Sequence, residues 1–249
     1  MPWKLPDSEA GLLALAKSYP FPAPDGSYLF RGGVAEPLAA GDFTPLLYEG
    51  RVPVLAHGSN RSPEQLARKF GATAEIPVTV GWLADHDVVY SAHVTQYGSI
   101  ASTVQHLPGA RARVSITWLS RAQLARMHET EGPSSYLYGR LRDVDLRMEA
   151  GPSAVIRECW LYLSRNGCLA REAAPVGLAA VTAEGRKHGA LPQPEVLAHV
   201  RERYRPHLEL DAMILRKIRN AELRRALVEE LRAEAVPAAA PHFHAGSSE

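Results

Sequence analysis

Pro53-Val54-Leu55-Ala56-His57-Gly58-Ser59-Asn60 runs directly into Arg61-Ser62-Pro63-Glu64-Gln65-Leu66-Ala67-Arg68-Lys69. A short apolar run that stops at Gly-Ser-Asn predicts a buried strand entering a tight loop. Ser62 has the chemistry of an N-cap, Pro63 suits the first helical position, and Gln65 completes a capping box. The chain therefore reads as strand, glycine loop, helix. That order aims several backbone N–H groups into one small space beside the positive end of a helix. A carboxylate or a developing oxyanion fits such a space. The plainer alternative is that Gly58 only lets the chain turn.

Beyond this unit the sequence becomes β-rich. Ile76 to Leu83, His86 to Ala92, Ile100 to Gln105 and Val114 to Leu119 carry the Val, Ile, Thr and aromatic content of strands. Ala84-Asp85 and Pro108-Gly109 read as turns between them. Ser120 opens a second capping box with Gln123, and Leu124 and Met127 share one face of the helix that follows. Gly132-Pro133 ends that helix. Glu129 and Glu131 then lie at its negative end, where a charged carboxylate is disfavoured and its pKa is raised. Such a group suits proton transfer, although a glutamate in this position is more often simply solvated. Two more strands are expected around Leu137 to Leu146 and Ala154 to Leu163.

On the N-terminal side, residues 1–50 read as an arm packed on the core. Asp7 or Ser8 caps a short helix carrying Leu12, Leu13 and Leu15, which the Pro20, Pro22, Pro24 cluster ends. Tyr28-Leu29-Phe30 reads as a short strand, and the stretch with Pro37, Gly41 and Pro45 as loop. Trp3, Phe21, Phe30, Phe43 and Leu46 call for burial. On the C-terminal side, residues 206–235 read as helical. Leu210, Ile214 and Ile218 share a face, Asn220 caps a further helix, and Leu223, Leu227 and Leu231 continue the stripe. Residues 236–249, rich in Pro, Ala, Gly and Ser around His242 and His244, read as a disordered tail.

Composition excludes several classes. Across 249 residues, 28 Lys and Arg balance 27 Asp and Glu, and a net charge of +1 offers no case for nucleic acid or an anionic membrane. No apolar run is long enough to span a bilayer. Met1 to Pro20 lacks the pattern of a signal peptide, so the cytoplasm is the expected compartment. The two cysteines, Cys159 and Cys168, form no disulfide framework. His57-Gly58 resembles the oxyanion loop of some esterases, but Gly-x-Ser-x-Gly is absent. H-E-x-x-H and Cys-x-x-Cys are absent too, so no metal site is expected.

Four stretches, taken in order, resemble the γ-glutamylcyclotransferases and their AIG2-like relatives. Ala56-His57-Gly58-Ser59-Asn60 looks like the family's Tyr-Gly-Ser-Asn loop. Gly98-Ser99-Ile100-Ala101-Ser102-Thr103 looks like its Gly-Gly-Ile-Ala-Thr strand with one residue added. Leu119-Ser120 through Leu124, Met127, Glu131 and Gly132 looks like its helix ending in Glu-Gly. Glu184-Gly185-Arg186-Lys187-His188-Gly189-Ala190-Leu191-Pro192 is similar to its Gly-Ala, then His-Gly-Leu-Pro, turn. The resemblance covers roughly residues 53–205 and implies a domain over 51–205, a small mixed β-barrel surrounded by helices in an α+β fold.

It also implies a reaction. The α-amine of a γ-glutamyl group attacks its own γ-carbonyl, closing 5-oxoproline and releasing an amine. Glu131 takes the position of the family's catalytic glutamate, with burial holding its pKa near neutrality. Leu55, Ala56, His57, Gly58, Ser59, Asn60 and Tyr162 are the expected substrate contacts, with a place in the core as the alternative for Tyr162. The substrate would be a γ-glutamyl amine or dipeptide, with no metal or organic cofactor. His57 stands where the family usually has tyrosine, His128 where it often has aspartate, and nothing around Gly177 matches a pocket tyrosine. A related amide-cleaving enzyme and a non-catalytic binding module on the same fold are the alternatives, and the C-terminal helices offer a homodimer contact.

Overall fold

A computed structural model of the protein describes residues 4–132 and 134–246, so the expected burial of Trp3 lies outside the described residues. Helix α1 (Glu9–Lys17) begins at Ser8, whose hydroxyl accepts the Gly11 N–H at 3.1 Å. Its Leu12, Leu15 and Ala16 are buried. Strand β1 (Tyr28–Arg31) pairs with β2 (Val34–Pro37), which forms where a loop was expected. A short helix α2 (Pro45–Tyr48) leads to β3 (Val52–Ala56) and then to α3 (Pro63–Phe70). Phe21 and Phe30 are buried, but Leu46 is 85% exposed because it sits on the outer side of α2.

The centre of the sheet is one long hairpin. Strand β4 (Ile76–Val94) pairs antiparallel with β5 (Ile100–Leu119) and, at its start, with β1. These two strands replace the four shorter ones expected. Ala84-Asp85 and Pro108-Gly109 are not chain reversals; they face each other across the pair. Asp85 takes φ 56° and Gly109 φ 82°, the register shifts between Ala84 and His86, and the Asp85 carboxylate accepts the Gly109 N–H at 2.8 Å. A bulge of this kind bends both strands together without ending either.

Ser120 then starts α4 (Arg121–Thr130) with the capping box expected. Its hydroxyl accepts the Gln123 N–H at 3.3 Å, and Gln123 Oε1 accepts the Ser120 N–H at 2.9 Å. Strands β6 (Tyr136–Leu141), β7 (Leu146–Met148), β8 (Val155–Ile156) and β9 (Cys159–Ser164) follow. Helices α5 (Gln193–Tyr204), α6 (Leu210–Arg219) and α7 (Ala221–Ala233) close the chain, with Asn220 Oδ1 capping α7 through the Glu222 and Leu223 N–H groups at 2.9 and 3.0 Å.

The fold is α+β, but the sheet is not a closed barrel. From one end to the other it runs through Ala190–Leu191, Gly177–Leu178, β4, β5, β3, β9, β6 and Phe243–Ala245. Closure would need β6 to pair with the far edge. Instead the C-terminal segment, expected to be disordered, lies antiparallel on β6 with Phe243 opposite Leu141. Two apolar cores result. The larger joins β4, β5 and β9 to α1, α5, α6 and α7, and the smaller joins β1, β3 and β9 to α3 and α4.

Candidate active site

Strand β3 delivers the loop. Leu55 and Ala56 are buried, and alternation along the strand sends Leu55 and His57 to one side and Ala56 to the other. Gly58 follows at φ −123° and ψ −131°. A Cβ there would collide with the Tyr19 hydroxyl and come within 2.5 Å of Ser102 Oγ, so this position has no room for a side chain. Ser59–Arg61 make one 3₁₀ turn whose first bond is Arg61 N–H to the Gly58 carbonyl at 3.4 Å. The N–H groups of Ser59 and Asn60 precede that bond and are left for another acceptor. Ser62 and Pro63 start α3 as expected, but the capping box is not made, and Ser62 Oγ and Gln65 Oε1 are buried without partners.

His57 is fixed at both ends. Its Nε2 lies 3.0 Å from the Tyr162 carbonyl, which can only accept, so Nε2 carries the proton. Nδ1, 3.1 Å from Ser102 Oγ, then accepts from that hydroxyl, and the Tyr19 hydroxyl, 2.6 Å away, donates to Ser102. Burial pushes the imidazole pKa down, outweighing the Tyr162 bond and the nearby Glu131 charge. His57 is accordingly a neutral, oriented link and not a group that titrates near pH 7.

Glu131 is the C-cap of α4, and Asn60 Nδ2 donates to its Oε1 at 2.8 Å. The Lys69 ammonium, from α3, also contacts Oε1, and the two side chains are only 9% and 15% exposed. Burial alone would raise the carboxyl pKa. The Lys69 charge and hydrogen bond, with the Asn60 bond added, outweigh burial and hold Glu131 below the usual carboxylate range. The expectation of a pKa near neutrality is thus corrected: an ammonium brought in from another helix decides it, not the helix end.

Glu131 and Gly58, Ser59 and Asn60 line one cavity of about 600 Å³. Leu55, His57 and Tyr162 line it as well, whereas Ala56, on the far side of β3, does not. The Tyr162 hydroxyl lies 2.8 Å from His128 Nδ1, which turns its tip toward α4. Asn60 Oδ1 and Gln65 Oε1 are buried acceptors without partners on this wall. Among the described residues no group of three or more His, Cys, Asp or Glu is placed to hold a metal ion, and no helix is long and apolar enough to cross a membrane.

No family model matches the chain, and no curated protein matches it. Among solved structures it is similar to a γ-glutamyl cyclotransferase, at TM-score 0.37 and 19% identity over 45% of this chain. The match spans 66% of that protein's length. An uncharacterized protein from Homo sapiens, known from a refined crystal structure, matches at TM-score 0.38 and 18% identity, over 46% of this chain and 67% of that one.

The Gly177 and His188 region serves a different end. Asp87, fully buried, takes two hydrogen bonds from Arg186 at 2.6 and 2.8 Å. A Cβ on Gly177 would fall 2.8 Å from Arg186 Nε, so a side chain there would break that grip. The cavity also has walls that sequence reasoning did not single out: Tyr19, Lys69, His93, Tyr97 and Tyr136. A signal existed for one of them. Gln65 and Lys69 are four apart on the helix directly after the loop, hence on one face.

Proposed function

We propose that the cavity is the active site of a γ-glutamylcyclotransferase-like enzyme, acting on a γ-glutamyl amine or dipeptide and releasing 5-oxoproline. One observation carries the reading: Glu131 lines the same cavity as Ser59 and Asn60, joined to that loop by the Asn60 side-chain amide at 2.8 Å. A carboxylate beside the start of a 3₁₀ turn, whose first N–H groups the turn does not use, suits a reaction that moves protons on nitrogen and builds charge on a carbonyl oxygen. The volume suits a dipeptide.

In this reading the α-ammonium of the substrate enters between Glu131 and the unpartnered Asn60 Oδ1, displacing Lys69 as counter-ion. Glu131 takes one proton. The freed amine attacks the γ-carbonyl carbon, a C–N bond forms, and the carbonyl electrons move onto oxygen, facing Ser59 and Asn60 N–H. Glu131 passes its proton to the leaving nitrogen, the original amide C–N bond breaks, and the second proton follows the same route. The ring nitrogen keeps one hydrogen and the amine departs as an ammonium, so protons balance. Holding both reacting ends in one folded chain supplies much of the rate.

The Lys69 contact favours a second reading, a module that binds an ammonium-bearing ligand without turning it over. A carboxylate held well ionised is a better counter-ion than proton acceptor. The deciding experiment offers a panel of γ-glutamyl compounds to the purified protein and measures 5-oxoproline and free amine. Release supports the enzyme; stabilisation by a panel member without release supports the module.

A further inference from the structure

Away from this cavity, Lys217 of α6 is 4% exposed, and its Nζ is buried with no hydrogen-bond partner. It lines a separate cavity of about 290 Å³ between α5, α6 and α7. A buried ammonium without an acceptor is costly, and this position shows the strain in its titration. Burial, and then the neighbouring Arg205, push its pKa down to about 7, against the pull of Glu230. Glu230 is already engaged, because Arg205 grips both its oxygens at 2.7 and 2.8 Å. Arg216 and His207 line the same cavity from exposed positions.

We propose that this cavity binds a small organic monoanion, a carboxylate on a short apolar chain, seated on the Lys217 ammonium. Charge sets the first half of that assignment. The Arg205–Glu230 pair is neutral and Arg216 is exposed to solvent, so the buried charge left unmatched is that of Lys217, a match for one negative group. The walls set the second half. Leu208, Met213 and Leu223 are apolar, and Leu223 is 47% exposed at the rim, so a chain of a few carbons covers surface that a bare inorganic anion would leave wet. This site is independent of the reaction proposed above.

Isothermal titration of the full chain with butyrate, with inorganic phosphate as a parallel probe, tests it. One butyrate should bind, with proton uptake seen as a heat that depends on the buffer. Affinity should fall about tenfold between pH 7 and pH 8.5 as the lysine loses its proton. Lys217→Met should abolish binding and raise Tm, since it replaces an unpartnered buried amine with an apolar chain of similar length. Lys217→Arg keeps the charge, and should keep binding while losing the pH dependence. No butyrate binding, equal binding by Lys217→Met, or preference for phosphate would overturn the assignment.

Discussion

Lys69 and Glu131, 62 residues apart in the chain, form an ion pair in the wall of the cavity with little solvent on either side chain. Charges held this close in a poorly hydrated place are costly to separate, and removing one partner strands the other. The pair therefore links the stability of the fold to the chemistry proposed for the site. This changes what a simple substitution means.

Glu131→Gln should lower turnover by ~10²–10⁴-fold, the usual worth of general acid–base catalysis. It should also destabilise the protein by about 3 kcal/mol, the lower end of what breaking a buried pair costs. The local reading of a carboxylate at a helix end implies no stability loss at all. Melting curves of both single variants and of Lys69→Met with Glu131→Gln settle the point. The double variant should recover much of the stability and none of the activity.

Lys69→Met separates the two roles of the pair. Without the ammonium, burial dominates and the Glu131 pKa moves up, so the acidic limb of the kcat/KM profile should move to higher pH. An unmoved limb would show that Glu131 is not the group whose ionisation limits the rate.

His57 and His93 make acid stability predictable in sign. Burial, with a smaller push from Arg224, lowers the His93 pKa from 6.5 to about 4, and burial lowers that of His57 as well. The unfolded chain thus binds more protons than the folded one below pH 6.5, so stability is complete above that pH and falls as pH drops. For His93 the loss by pH 4 is roughly 3 kcal/mol. Denaturant titrations at pH 7 and pH 4.5 should show the decline, and His93→Phe should flatten it. His57→Phe, which strands the Ser102 hydroxyl and the Tyr162 carbonyl, should cost about 1–3 kcal/mol at pH 7.

Gly58→Ala tests the loop itself. The added methyl meets the Tyr19 hydroxyl and Ser102 Oγ, so the Tyr19–Ser102–His57 chain must shift. Overpacking of this sort costs about 1–3 kcal/mol, and turnover should fall with it. If Gly58 were only a turn residue facing solvent, alanine would be tolerated and both readouts would stay near wild type.

Local pattern was enough for part of this. The strand-loop-helix at Pro53–Lys69, the Ser120 capping box, the Asn220 cap and the placing of Glu131 at the end of α4 depend on residues within a few positions of one another. Backbone hydrogen bonding over three or four residues writes such features into adjacent side chains. The closeness of Glu131 to the Gly58–Asn60 loop came from the order of four short motifs, which resemblance can carry but periodicity cannot.

Tertiary structure decided the rest, because each remaining feature needs a partner distant in the chain. Ala84-Asp85 reads as a turn until the Gly109 N–H, 24 residues on, makes it a bulge. The tail looks disordered by composition until the free edge of β6 supplies backbone partners, which leaves the sheet open. His57 reads only as a replacement for a family tyrosine until the Tyr162 carbonyl, 105 residues away, accepts its Nε2 N–H and burial lowers its pKa. Glu131 was legible as a carboxylate at a helix end. Its low pKa was not, because that depends on the direct contact with Lys69, and Coulomb energy follows distance in space and local hydration, neither of which is written in the sequence around it.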